Sequence, residues 1–222
     1  MKHPDPRLRA YCHLVVAEPT AVTAVRDPER AWEVLVEDAL AAAEIVSGLR
    51  PAEAVDVGSG GGSPGIPLAL ALDLPVTLLE ATRTKCRFLE RTVARLRAPC
   101  SVVHARSEEH ARADGRDRYP LALARALAPP PVAAELVLPL VAPGGAAILW
   151  TGADVDAAAV SETARQVGGA IDAVHEVRQR RLLVVLGKRE ATPERFPRRP
   201  GVARARPLAA LRPRSSRPSS RA

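Results

Sequence analysis

The sequence predicts an α/β fold, a doubly wound and mainly parallel sheet with a terminal antiparallel hairpin and an N-terminal helical extension. Three observations carry this reading. Short apolar runs of strand length alternate with stretches whose apolar residues recur at helical spacing. A glycine-rich turn, Gly58 to Gly65, follows directly on the first of those runs. Two runs near the end, about 171–177 and 182–186, lie so close together that they suit an antiparallel edge. At 222 residues the chain suffices for one such domain with short extensions.

Asp27-Pro28 reads as a helix cap followed by proline at the first helical position, and residues 29–49 continue as an amphipathic helix. Residues 54–57 (AVDV) form a short buried strand that runs into the glycine turn, and 66–72 follow as a helix. The second strand is 76–80. Residues 84–96 form an amphipathic helix with Phe88, Leu89, Val93 and Leu96 on one face, before a third strand beginning at 101–103 and a fourth at 121–124. A proline-opened helix over 131–141 ends at Ala142-Pro143-Gly144-Gly145, which turns into a strong strand at 146–150. A helix near 155–167 and the two close strands complete the domain. From about Pro207 onward Pro, Ser, Arg and Ala dominate, which predicts disorder. The expected organisation is a helical extension over 1–50, a ligand-binding domain over 51–190 and a basic, largely disordered tail over 191–222.

Hydrophobic residues make up 47% of the chain and aromatic ones only 3%, so Ala, Val and Leu must fill the core. No uninterrupted apolar run reaches the roughly 18 residues of a membrane span. The N-terminus lacks an apolar signal region, so a cytoplasmic location is expected. Cys12, Cys86 and Cys100 form no CxxC pair, and His3, His13, His104, His110 and His175 no ligand-like cluster, so neither a zinc site nor a disulfide framework is expected. The net charge of +7 is unevenly placed. Eleven of the 32 basic residues but only two of the 25 acidic ones lie from Lys188 onward, which leaves the preceding chain slightly acidic. An arginine-rich tail of this kind can neutralise phosphates, and Arg198, Arg199, Arg204 and Arg206 are its candidate RNA contacts.

The glycine turn is the candidate ligand shelf. Gly58, Ser59, Gly60, Gly62 and Ser63 follow the first strand, where doubly wound sheets hold ligands at the carboxyl ends of their strands. One frame, Gly60 to Gly65, also fits the dinucleotide fingerprint GxGxxG, so spacing alone leaves a nicotinamide cofactor open. Two acids shift the balance to S-adenosylmethionine. Asp56 precedes the turn, where a carboxylate suits the cationic amino group of methionine and would repel a pyrophosphate. Glu80 ends the second strand, where it suits the hydroxyls of a ribose, a feature both cofactor classes share. The late PGG turn before a strand, followed by a terminal hairpin, is similar to the layout of methyltransferases, and little chain remains for a dehydrogenase's second domain.

Together, TAVRDPE (23–29), DVGSGGGSPGIPLA (56–69), RFLE (87–90), ARSEE (105–109), ARALAP (124–129), LPLVAPGG (138–145) and TPERFPRRPG (192–201) resemble the ribosomal RNA small-subunit methyltransferase G family, also called glucose-inhibited division protein B. The resemblance runs from about Thr20 to Leu208. It implies a Rossmann-like class I methyltransferase fold and S-adenosylmethionine-dependent transfer of a methyl group to N7 of a guanine in 16S ribosomal RNA, free or in the small-subunit particle, by a monomer without metal. By position it implies Gly58 and Ser63 at the methionine part, Ser107 and Glu108 at the adenine, and Arg125 at the junction of cofactor and substrate. Asp38, in the family-like first helix, is the candidate to stabilise the positive charge that guanine acquires. Lys85 and Arg106, near the ligand edge, join the candidate RNA contacts. Two further readings stay open: a small-molecule methyltransferase, in which the arginine tail is irrelevant, and a non-catalytic RNA-binding or assembly factor that retains the fold.

Overall fold

The computed structural model describes residues 5–20, 22–177 and 181–210. Its strands are β1 (Ala54–Val57), β2 (Val76–Glu80), β3 (Cys100–His104), β4 (Tyr119–Arg125), β5 (Val141–Gly152), β6 (Gly169–Val177) and β7 (Arg181–Lys188). They form one sheet in the order β3-β2-β1-β4-β5-β7-β6. The pairings β1–β2, β1–β4, β2–β3 and β4–β5 are parallel, whereas β7 runs antiparallel to both β5 and β6. The strand order reverses between β1 and β4, so a crevice opens beyond their carboxyl ends.

Every residue of β1 and β2 is buried, as strands covered on both faces must be. On one face the core gathers Leu78, Leu121 and Ile148 with residues of α1 (Pro6–Ala17), α5 (Gly65–Leu72) and α6 (Arg83–Leu96). On the other, Val55, Leu79 and Ala122 pack with residues of α8 (Pro130–Val137) and α9 (Ala157–Gln166). Few of these side chains are aromatic, and the cluster is built from Ala, Val and Leu as expected.

The N-terminal extension differs from expectation twice. Residues 6–17 form α1, which the sequence reading did not identify. Its signal is present: Asp5 accepts from the Arg7 N–H at 2.8 Å ahead of Pro6, and Leu8, Tyr11, Cys12 and Val15 are buried at helical spacing. The single helix expected over 29–49 is broken into α2 (Pro28–Ala31), a π-helical turn at Trp32–Glu37, α3 (Asp38–Leu40) and α4 (Ala43–Leu49). The interruption coincides with outside donors: the Ser63 hydroxyl and the Arg125 guanidinium bond the carbonyls of Leu35 and Val34, both at 2.7 Å. A carbonyl drawn to such a partner loosens the ladder within the helix.

At the PGG turn, α8 ends at Val137, a 3₁₀ turn covers Leu138–Leu140, and β5 already begins at Val141. The glycines lie inside the strand, at a register shift opposite Tyr119 and Leu121. A Cβ on Gly145 would lie 2.7 Å from the Pro120 carbonyl oxygen, so only glycine fits that bulge. The tail needs a larger correction. Thr192, Phe196 and Ala203 are buried and α10 (Val202–Ala205) packs on α8, so 191–210 are part of the folded domain. The rest of the expected disordered tail, 211–222, lies outside the described residues. Among the described residues no helix is long and apolar enough to cross a membrane.

Candidate cofactor and substrate site

Beyond the ends of β1, β2, β3 and β4 lies a cavity of about 250 Å³. Of the glycine turn, Gly58 lines it. The N–H groups of Gly58 and Ser59 both donate to the Leu79 carbonyl, at 2.8 and 3.1 Å, which ties the turn to β2. Gly58 has φ +73°, which favours glycine, and a Cβ there would stand 2.7 Å from the Leu127 side chain, whose methyl would have to shift. The Tyr11 hydroxyl donates to the Gly61 carbonyl at 2.9 Å, which is how α1 supports the turn from outside.

Glu80, buried at the end of β2, is one of the charged groups of the lining. Its Oε2 accepts from the Gly60 N–H at 3.0 Å and its Oε1 from the Thr82 N–H at 2.8 Å. Each carboxylate oxygen keeps a second lone pair, so the group is fixed in place and can still accept two hydroxyls from a sugar. Farther along the lining stand Ser107 and Glu108 of α7 (Ser107–His110), with Glu108 only 8% exposed. Lys85 and Arg106 line the cavity as well. Val57, Leu79, Ala105, Leu127 and Leu136 add apolar side chains to this otherwise polar lining.

Several expected residues have other tasks. Asp56 does not reach the cavity: it is 1% exposed and its Oδ2 accepts from the Gly65 N–H at 3.1 Å, at the start of α5. Burial pushes its carboxyl up to about 7, against the opposing pull of the Gly65 hydrogen bond and the Arg125 charge. The expectation that it holds an amino group is therefore corrected. The Ser59 hydroxyl donates to the Asp56 carbonyl at 2.8 Å, and that of Ser63 turns to Leu35 instead of a ligand. Gly62, at φ +99°, serves the bend and lies against Ile66. Gly60 acts through its backbone alone.

A second cluster lies at the ends of β4 and β5, outside the lining of that cavity. Asp38 meets Arg125 at 3.1 Å and Arg181 at 3.0 Å, with its side chain 14% exposed. Its carbonyl accepts from Trp150 Nε1 at 2.8 Å. The sequence singled out Asp38 and Arg125 separately, and the fold makes them a pair. Arg181 and Trp150 escaped attention because their partner lies more than a hundred residues earlier. Ala126, with φ +54°, follows Arg125 in a conformation rare for a residue with a Cβ, and it lines the cavity.

The four candidate tail arginines separate. Arg198 makes a two-pronged pair with Glu135, both contacts 2.6 Å, and Glu135 is 2% exposed, so its assignment to phosphate is corrected. Arg204 donates to the Leu127 carbonyl at 2.7 Å and lines the cavity. Arg199 and Arg206 stay exposed. Among the described residues no group of His, Cys, Asp and Glu could hold a metal.

Residues 6–182 match the family described as rRNA small subunit methyltransferase G. A protein named ribosomal RNA small subunit methyltransferase G from Rubrobacter xylanophilus is 41% identical over 203 residues, 84% of this chain and 77% of that one. The protein of the same name from Symbiobacterium thermophilum is 36% identical over 205 residues, 84% and 82% of the two chains. Among solved structures, a TehB-like SAM-dependent methyltransferase from Corynebacterium glutamicum is similar with a TM-score of 0.52 at 17% identity, over 67% of this chain and 88% of that one. A mutant of MtNAS in complex with S-adenosylmethionine gives 0.57 at 14% identity, over 83% and 73%. At such identities the structural likeness establishes the fold, the Rossmann-like arrangement of this class.

Proposed function

The chain belongs to the rRNA small subunit methyltransferase G family, and on that premise we propose that it methylates N7 of a guanine in 16S ribosomal RNA, using S-adenosylmethionine. The observation that carries the reading is the cavity at the strand ends lined by Gly58 and Glu80, since a fixed carboxylate with free lone pairs beside a bare backbone suits the ribose of a nucleoside. The residues fit the cofactor: Gly58 leaves its closest approach open, Glu80 would take the ribose hydroxyls, and Ser107 with Glu108 would edge the adenine. S-adenosylmethionine supplies a methyl group that is already electrophilic on a sulfonium. Lys85 and Arg106 stand at the same mouth, where they would meet the charged backbone of the RNA. A ribosomal RNA substrate supports a cytoplasmic location.

Guanine N7 presents a lone pair, so the chain need not supply a general base. Its residues have to orient the base and exclude water, and alignment of this kind is worth up to about 7–11 kcal/mol in favourable cases. We assign the Asp38–Arg125–Arg181 cluster to that task. Arg125 Nη1 is held by the Val34 carbonyl and Asp38, so its guanidinium is fixed in place. Asp38, shared by Arg125 and Arg181, would hold both guanidiniums in place for that task. The decisive experiment incubates the protein with labelled cofactor and small-subunit particles from cells lacking this modification, then maps the methylated nucleotide. Label on a guanine N7 is expected; label elsewhere, or none, overturns the reading. Asp38→Asn is expected to lower turnover at least about tenfold with cofactor affinity unchanged, and equal turnover would remove the aspartate from the chemistry.

A further inference from the structure

Residues 192–205 cross the outside of the domain and reach the cavity from a direction independent of the strand ends. Their anchoring is dense. Arg116 donates to the carbonyls of Thr192 and Phe196, both at 2.7 Å, and Arg112 to that of Pro197 at 3.0 Å. Arg198 closes on the buried carboxylate of Glu135 in α8. Past that pair the backbone turns at Gly201, with φ +84°, and its N–H donates to Glu108 Oε1 at 3.1 Å. One helical turn later Arg204 reaches the Leu127 carbonyl. Gly201 and Arg204 both line the cavity, together with the apolar Ala105, Leu127 and Leu136.

We infer that this segment is a strap that forms the purine-side wall of the cofactor site, with Arg204 facing the base and the Glu135–Arg198 pair positioning it. The inference rests on the reading of the cavity as a nucleoside site. The apolar side chains of Ala105, Leu127 and Leu136 beside a planar guanidinium suit an aromatic base, because arginine stacks on π faces while its N–H groups remain bonded in its own plane. Arg204 is tethered in that way by Leu127, so little of its freedom remains to be lost on binding. Glu108 is engaged twice, by Gly201 N–H and by the Ser107 hydroxyl at 3.2 Å, so the strap also fixes the acid at the edge of the cavity. The Glu135–Arg198 pair has no place in the cavity lining and acts through the turn it holds.

Calorimetry with S-adenosylhomocysteine tests this. Arg204 is exposed, so Arg204→Ala should leave the melting temperature unchanged, while the dissociation constant rises about tenfold. Methylthioadenosine, which keeps base and ribose but lacks the amino acid, should lose the same factor; a loss confined to S-adenosylhomocysteine would place Arg204 at the other end and overturn the inference. Replacing Glu135 and Arg198 together by leucine removes both charges at once and leaves neither buried alone. That double variant should stay folded and bind both ligands more weakly. If it melted earlier but bound as well as the wild type, the pair would be plain structural support and its positioning role would fall. Wild-type protein that bound neither ligand would overturn the cofactor reading itself, whereas wild-type binding matched by both variants would overturn the strap alone.

Discussion

Asp56→Asn should make the protein more stable at neutral and alkaline pH, by an amount that grows as the pH rises. Asp56 is 1% exposed, and burial raises its carboxyl from 3.8 to about 7. In the unfolded chain the group ionises near its ordinary value, so between about pH 4 and pH 7 the native state binds the additional proton. Stability falls with pH wherever the native state binds more protons, and this contribution is therefore present at low pH and lost as the pH passes through the folded value. The difference of about three units corresponds to about 4 kcal/mol at 1.36 kcal/mol per unit. Asparagine cannot ionise, and its side-chain oxygen can still accept the Gly65 N–H bond. Thermal unfolding of both proteins from pH 4 to pH 8 should show the gap between them widen in favour of the variant by nearly that amount, about 10 °C for a chain of this length. A constant gap would mean that Asp56 stays ordinary in the native state. A gap that moved the other way would mean that a cation holds the carboxylate ionised, and that burial does not govern the group.

Lys188→Met should lower the melting temperature by about 6–12 °C, from a loss of about 3 kcal/mol, because the fully buried ammonium of Lys188 serves the carbonyls of Leu138 and Val167, the Thr192 hydroxyl and Asp117. A change below about 2 °C would contradict that; the assay is differential scanning calorimetry. Trp150→Phe removes the bond to the Asp38 carbonyl and should cost about 1 kcal/mol, while reducing methyl transfer more than cofactor binding, as measured by paired kinetics and calorimetry. Equal losses in the two would show that the Trp150 contact does not orient the substrate side. Replacing Arg199 and Arg206 by glutamine should leave cofactor affinity alone and reduce the slope of RNA affinity against salt by about one to two. An unchanged slope in filter binding would exclude both as phosphate contacts.

Local chemistry was legible wherever a residue's task is set by its immediate neighbours in the chain. Asp27-Pro28 announces a helix start, the apolar residues of α6 announce a buried face, and AVDV running into glycines announces a strand, a bend and a ligand edge. That Glu80 lines the cavity was legible because it ends a strand beside such a bend. Asp56 was misread for the same reason: its place in the chain matches a ligand contact, but the direction of its side chain depends on α5, whose first N–H it accepts. The tail was misread because Pro, Arg and Gly there have the composition of a solvated segment. Only the packing of Phe196 and the pairing of Arg198 with Glu135, 63 residues away, reveal it as part of the domain.

The sequence alone determined the class of fold, the order of most elements and the carboxyl edge at which the cavity opens, because these follow from periodicity, caps and backbone freedom within short windows. Tertiary structure decided which acids face the cavity, why the first long helix loosens into a π turn, and which arginines remain in water. Those outcomes depend on partners distant in the chain. A hydrogen bond or ion pair between such partners is specified by where two backbones meet in space, and no local pattern encodes it.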